Sequence, residues 1–366
     1  MVRVLIIGFT ENLGGVESLI YTYYQHIDRS VMQFDFLVNV AQVPFQKEIE
    51  QLGGRVYSIP QKTKDYFGYN RELKRFFEEH AKEYEVFWFN SNSLANLDYL
   101  VYAQKYGIPK RIVHSHNTLE TRGTVYKLFH NRNRKKAKKL ATDYWACSED
   151  AGRFFYDENT LKSSHFHIIN NAINLNRFKS DSDKRLQWRK QLGISDDALV
   201  LGNVGRLSYQ KNHKFLIEAF AQVVKKKPDS VLLLIGTGEL QEEISEQIKS
   251  LGVADNVQLL GQQSDVAGIM QAMDAFVMPS HYEGLPISGI EAQAAGLPCL
   301  FSDAITRKLK MSENSEFLPI DNPSVWSEAM LRQTDKERTD NSEHIRAAGY
   351  DIELEAQTLM KLLLED

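Results

Sequence analysis

Val200-Leu201-Gly202-Asn203-Val204-Gly205-Arg206-Leu207-Ser208-Tyr209-Gln210-Lys211-Asn212 is the stretch that sets the pattern of this chain of 366 residues. It begins with a short apolar run, Val200–Val204, that reads as a buried strand. A polar, glycine-bearing loop follows. Then Phe215, Leu216, Ala219, Phe220 and Val223 recur at the i, i+3/i+4 spacing of an amphipathic helix.

The same alternation runs outward in both directions. Val2–Ile7, Phe34–Val38, Val56–Ile59, Val86–Phe89, Arg111–His114 and Tyr144–Cys147 read as strands before it. Val231–Ile235, Val257–Leu260, Ala275–Met278 and Cys299–Phe301 read as strands after it. Strand–helix alternation of this length implies an α/β chain whose parallel sheets are covered by helices on both faces. The pattern breaks into a polar, turn-forming stretch at residues 176–184 and restarts near Asp197. Two doubly wound domains facing a cleft are therefore expected, with ligands at the carboxyl ends of the strands. Near the end, Ile352, Ala356, Leu359 and Leu363 share one helical face. No short-period repeat or low-complexity segment interrupts the chain.

Bulk composition agrees. A length of 366 fits two domains of roughly 150–200 residues. Apolar residues make up 43%, charged residues 25%, and the net charge is −4, so nothing global points to nucleic acid. The start, MVRVLIIGFT, reads as a first strand rather than a secretory leader. No run of 18 apolar residues offers a membrane span. Cys147 and Cys299 read as free buried thiols of a cytoplasmic protein, not a disulfide or metal site.

The strongest chemical segment is Pro279-Ser280-His281-Tyr282-Glu283-Gly284-Leu285-Pro286-Ile287-Ser288-Gly289-Ile290-Glu291-Ala292. It starts where a strand ends. Gly284 and Pro286 favour a turn into a helix. Ser288 and Gly289 then fall near the helix start, where free N–H groups can bind phosphate oxygens. Glu283 before the helix and Glu291 within it can accept hydrogen bonds from paired sugar hydroxyls. In the opening stretch, Arg206 and Lys211 lie five apart across a loop and can converge on one anion. Fixed cations there would stabilise a departing diphosphate.

Weaker signals end other strands. Gly14 and Gly15 could bring backbone amides to a phosphate, although the dinucleotide pattern G-x-G-x-x-G is absent. His116, ending the fifth strand, can hydrogen-bond a sugar hydroxyl or share developing charge. Gly236-Thr237-Gly238-Glu239 reads as a turn shaping the cleft, and Gly261-Gln262-Gln263 could hold a nucleobase. Asp181-Ser182-Asp183 has the spacing of a metal-binding pair but lies in the linker and reads as a helix start. Arg132-Asn133-Arg134-Lys135-Lys136-Ala137-Lys138-Lys139 sits in a helix beginning near Gly123. It is either a solvated face or a docking surface for an anionic membrane.

Together, Glu283-x7-Glu291, Gly205-Arg206-Leu207 with Lys211-Asn212, Gly236-Thr237-Gly238, and Ile169-Asn170-Asn171-Ala172-Ile173 with Phe178 resemble the retaining glycosyltransferase family 4. The flavour is that of bacterial exopolysaccharide and capsular polysaccharide enzymes. The resemblance runs over nearly the whole chain and is densest from 168 to 302. It departs at Ala172, where the family usually has glycine. It implies a GT-B fold with a Rossmann-like acceptor-binding domain over 1–178, a Rossmann-like nucleotide-sugar domain over 179–348, and a final helix over 349–366 crossing back to the first. It implies a retaining, metal-independent glycosyltransferase with no cofactor, moving a sugar from a nucleotide-diphosphate donor, a UDP-sugar by type, to a saccharide or lipid-linked acceptor. Catalytic positions would be Glu283, Arg206, Lys211 and His116. Donor contacts would come from Gly14, Gly15, Gly205, Gly261, Gln262, Gly284, Leu285, Pro286, Ile287, Ser288 and Glu291. The expected location is cytoplasmic, with peripheral attachment to the inner face of the cell membrane if the basic helix docks there. A nucleotide-sugar epimerase of the same fold and a non-catalytic sugar-nucleotide-binding subunit are the competing readings.

Overall fold

The computed structural model describes residues 1–118, 123–334 and 336–365. They form two units, Met1–Ala172 with residues from Ile352 onward, and Ile173–Asp351.

The first unit is built on seven parallel strands: β1 (Val2–Ile7), β2 (Met32–Val38), β3 (Val56–Ser58), β4 (Val86–Ser91), β5 (Lys110–Ser115), β6 (Asp143–Ala146) and β7 (Phe166–Ile168). Their spatial order is β3-β2-β1-β4-β5-β6-β7. Side chains alternate across the pleat, so Val4 and Ile6 enter one core while Leu5 and Ile7 enter the other. That double burial is why β1 reads as a continuous apolar run.

The second unit repeats the plan with β8 (Val200–Val204), β9 (Val231–Ile235), β10 (Val257–Gly261), β11 (Ala275–Met278), β12 (Cys299–Ser302) and β13 (Ser315–Leu318). The order is β10-β9-β8-β11-β12-β13, again all parallel. Leu232 and Leu234 face one core, Leu233 and Ile235 the other. In each sheet the order reverses between the first and fourth strands in sequence. Such a switch point leaves a crevice at the carboxyl ends of the two strands that flank it.

The chain divides at Ala172/Ile173, ahead of the expected Phe178, because Ile173, Leu175 and Phe178 pack into the second unit's core. The expected break after residue 348 falls at Asp351/Ile352 instead. The helix Ile352–Leu364 buries Ile352, Ala356, Leu359 and Leu363 in the first unit's core, beside Ile20, Tyr23 and Tyr24 of the helix Gly15–His26. Asp181 caps the helix Ser182–Gln191, accepting from the Asp183 and Lys184 amides. Cys299 is buried, whereas Cys147 is half-buried; both are free thiols. Among the described residues, no helix is long and apolar enough to cross a membrane.

Candidate functional site

The second unit brings its two strongest segments together at the switch point. The loop after β8 carries Lys211, and the loop after the neighbouring β11 carries Glu283. Lys211 Nζ lies 2.7 Å from Glu283 Oε1, and their side chains are only 14% and 7% exposed. Gln210 binds the same carboxylate from its other side, Nε2 donating to Oε2 at 3.0 Å and to the Tyr282 carbonyl at 3.0 Å. The Gln210 carbonyl accepts from the His281 amide at 2.8 Å. Asn212 completes the join, with Nδ2 donating to the Pro279 carbonyl at 3.1 Å. Its backbone is left-handed, with φ 55°, a conformation asparagine tolerates better than most residues.

Close packing places Lys211. A Cβ on Gly205 would sit 2.8 Å from Lys211 Cε. One on Gly236 would sit 2.1 Å from the Gly205 carbonyl oxygen, and one on Gly238 2.2 Å from that of Leu207. The Gly236-Thr237-Gly238 turn therefore lies flat beneath the loop holding Arg206. Behind Lys211, Asn203 Nδ2 donates to the Val277 carbonyl at 2.6 Å, and Asn203 Oδ1 lies 3.1 Å from His213 Nε2. Burial, with the Lys211 charge second, pulls the His213 imidazole down to a pKa of about 4, so it adds no second positive charge at neutral pH.

Arg206 does not join this pair. Its Nε lies 3.1 Å from Glu239 Oε2, and its side chain is 74% exposed. The helix Ile287–Ala294 starts at its cap, Pro286. Ser288 Oγ donates to the Val204 carbonyl at 3.1 Å, tying the helix start to the end of β8. The Gly289 amide is engaged by the Pro286 carbonyl at 3.1 Å, while a side chain at Gly284 would meet only open space. Leu285 and Ile287 pack against the unit's core. Glu291 is half-buried, and burial pushes its carboxyl up to a pKa of about 7 against a smaller opposing pull from Arg177. Gly261 has a left-handed backbone and its carbonyl accepts from the Gly236 amide, while Gln262 beside it is exposed.

In the first unit, Gly14 caps the helix Gly15–His26, but its amide donates to Glu17 Oε2 at 3.1 Å. The other Glu17 oxygen takes the Thr10 amide and hydroxyl, each at 2.9 Å. That carboxylate already satisfies the loop, so Gly14 is not free for phosphate; Gly15 is unobstructed. His116 stands one residue beyond β5, with Nε2 at 2.9 Å from Asn90 Oδ1. A cavity of about 370 Å³ opens at this unit's switch point. It is lined by the ends of β1, β2 and β4, by Thr10, Asn39, Asn90, Asn92, Ser93 and Asn96, and by Phe89, Tyr99, Tyr126 and Phe129. None of its described lining residues is charged.

Gln210, Asn203, His213, Glu17 and this asparagine-rich cavity were not singled out in the sequence. Gln210 and His213 sit within or beside the Arg206–Lys211 loop, so their neighbourhood was the available signal. The cavity had none, because its residues come from four separate segments.

The family signature described as Glycosyl transferases group 1 matches residues 184–332. EpsF of Bacillus subtilis (strain 168), which carries a provisional glycosyltransferase name, is 31% identical over 98% of this chain and 96% of its own. A UDP-Gal:alpha-D-GlcNAc-diphosphoundecaprenol alpha-1,3-galactosyltransferase of Escherichia coli is 34% identical over 37% of this chain and 36% of its own. Among solved structures, Anabaena Alr3699/HepE in complex with UDP-glucose is similar with a TM-score of 0.75 and 20% identity, over 99% of both chains. With two Rossmann-like sheets of the GT-B kind and a near full-length relative, the chain belongs to the group 1 glycosyltransferases.

Proposed function

We propose that the second unit binds a nucleoside-diphosphate sugar, a UDP-sugar by preference, and that the enzyme transfers the sugar with retention and without a metal. The Lys211–Glu283 pair at the switch point carries this reading. Glu283 accepts hydrogen bonds from donor-sugar hydroxyls. Lys211, joined by Arg206 once it leaves Glu239, holds the diphosphate. Ser288 and the start of its helix take phosphate oxygens, and Glu291 takes the ribose hydroxyl pair. In the transfer step the bond from the anomeric carbon to the phosphate oxygen breaks. The acceptor oxygen bonds the same carbon from the same face, and its proton passes to the departing phosphate. Lys211 and Arg206 stabilise the charge that grows on that phosphate.

The acceptor is a saccharide, held in the cavity of the first unit. Asparagine amides and hydroxyls match sugar hydroxyls, and the aromatic rings offer apolar faces. A lining without charge favours a neutral terminal sugar, since an anionic one would be desolvated without a cation. The E. coli relative acts on an acceptor carried by diphosphoundecaprenol, and by analogy we assign a lipid-linked acceptor of surface polysaccharide assembly. The helix Thr124–Leu140 suits that setting. Val125, Leu128 and Phe129 are exposed, and Arg132, Lys135, Lys136 and Lys139 continue the same helical face.

The test is a thermal-shift screen of nucleotide sugars followed by transfer assays on Lys211→Ala and Glu283→Ala in excess chelator. The expected result is stabilisation by one donor class, full wild-type activity with chelator, and losses of about 100-fold or more in each variant. Near-normal turnover in both variants overturns the roles. Activity that returns only with divalent metal overturns the metal-free step.

A further inference from the structure

The first unit holds two histidines side by side, and their hydrogen bonds decide where the protons lie. Asn90, at the end of β4, is 2% exposed. Its Nδ2 donates to the Trp88 carbonyl at 3.3 Å, and its Oδ1 lies 2.9 Å from His116 Nε2. A backbone carbonyl cannot donate, so the amide's NH₂ half must face Trp88 and its oxygen must face the imidazole. An amide oxygen cannot donate either, so Nε2 of His116 carries the hydrogen. In the neutral ring, Nδ1 is then left with a lone pair, and it has no partner among the described residues.

The surroundings keep that ring neutral. The His114 ring lies 4.0 Å away. It takes the indole N–H of Trp88 at Nδ1, 3.2 Å, and an indole can only donate, so Nδ1 of His114 is unprotonated. Burial pushes His116 down to a pKa of about 3 and holds His114 well below its ordinary value, with His116 adding to the downward push on His114. Gly8 makes the arrangement possible. Its φ is +124°, and a Cβ there would sit 2.3 Å from the Asn90 carbonyl oxygen.

We propose that Asn90 is a positioning residue that locks His116 as the neutral, Nε2-protonated imidazole, so that Nδ1 accepts a hydrogen bond from a sugar hydroxyl. This rests on the reading of His116 as a catalytic position that meets a sugar hydroxyl. It removes two other roles for His116. A neutral ring with a free lone pair cannot donate a proton to the reaction, and it does not neutralise phosphate. It also imposes a demand on the substrate, which must present a hydroxyl to Nδ1.

Long-range ¹⁵N–¹H spectra of the histidine-labelled full chain read the tautomer directly. The expected result is a His116 with Nε2 protonated and Nδ1 bare, unchanged between pH 6 and 8. An Nδ1-protonated or cationic ring overturns the proposal without any variant. Asn90→Ala is expected to mix the tautomers and lower kcat by about tenfold or more. Asn90→Asp places a carboxylate against Nε2–H and is expected to raise the imidazole pKa. The pH–rate profile then gains an ionisation absent from wild type, with activity recovering as the ring loses its proton. Wild-type rate and tautomer in folded Asn90→Ala overturn the inference. His116→Ala separates the two layers: normal transfer there sinks the placement of His116, whereas lost transfer beside an indifferent Asn90→Ala sinks only the positioning role.

Discussion

Lys211 and Glu283 are each other's counter-ion. Each neutralises the other in a nearly dry setting, so removing one leaves the other charge uncompensated. Lys211→Met is therefore expected to lower stability, by up to about 3–5 kcal/mol for a fully buried pair. Changing both, Lys211→Met with Glu283→Leu, should recover much of that loss in denaturant titrations. No recovery would mean that the pair is not coupled. Glu291 makes a different prediction. Its folded pKa of about 7 lies above the ordinary 4.5, so the folded protein holds this proton more tightly than the unfolded chain does. Its contribution to stability is present below about pH 4.5 and declines as pH rises towards 7. With Glu291 taking the ribose hydroxyls as proposed, they would donate to the ionised carboxylate, so nucleotide affinity should run the opposite way. It should rise by up to about tenfold per pH unit below 7, level off above, and release a proton on binding. Calorimetry in two buffers of different ionisation heat checks this; a flat affinity would remove Glu291 from the ribose. Both glutamates were legible in the sequence because a strand, a turn and a helix start surround them. The Lys211–Glu283 contact was not, since residues 211 and 283 meet only through the pairing of β8 and β11.

Elements with uniform surroundings were easiest to read. The central strands β1, β8, β9 and β11 are buried on both faces, and their apolar runs coincide with the observed spans. The sheet edges β7 and β13 were missed. Phe166-His167-Ile168 and Ser315-Glu316-Phe317-Leu318 mix polar and apolar residues because an edge strand is only partly covered. The basic helix shows where charge counting misleads. Arg134 donates to the Arg153, Phe155 and Tyr156 carbonyls, satisfying the end of the helix Glu149–Phe155, and Lys138 pairs with Asp157 at 3.0 Å. These two bases serve the fold. Arg132, Lys135, Lys136 and Lys139 are exposed. Replacing those four with glutamine is expected to weaken sedimentation with anionic vesicles by about 100-fold or more, at roughly 1 kcal/mol per base near the surface. Arg134→Ala is expected to lower the melting temperature instead. Unchanged sedimentation of the fourfold variant would leave this helix a solvated face.

At the scale of the whole molecule, two domains were legible from one alternation repeated twice. The joins were harder, because the sequence pattern breaks at the polar stretch 176–184, yet Ile173, Leu175 and Phe178, before and within it, already belong to the second core. The closing helix was legible as a stripe of four apolar residues, although a stripe does not say which core receives it. Ending the chain at Asp351 removes all four from the first unit. At about 2–5 kcal/mol for each large aliphatic side chain, the loss rivals the whole stability of a typical domain. Such a truncation is expected to lose the first unit's cooperative unfolding transition while keeping that of the second. Two intact transitions would show that the helix is dispensable.

That helix also sets an order of events during synthesis. The ribosome makes most of the first unit early, then all of the second, and only afterwards the segment that finishes the first core. The second unit can close once Asp351 has emerged, since Trp326, Ala329, Met330 and Ile345, all after its last strand, belong to its cores. The first must wait, partly open, for Ile352–Leu364. A nascent chain that stops within the second unit is thus left with an unfinished first core, visible to the cell's quality control.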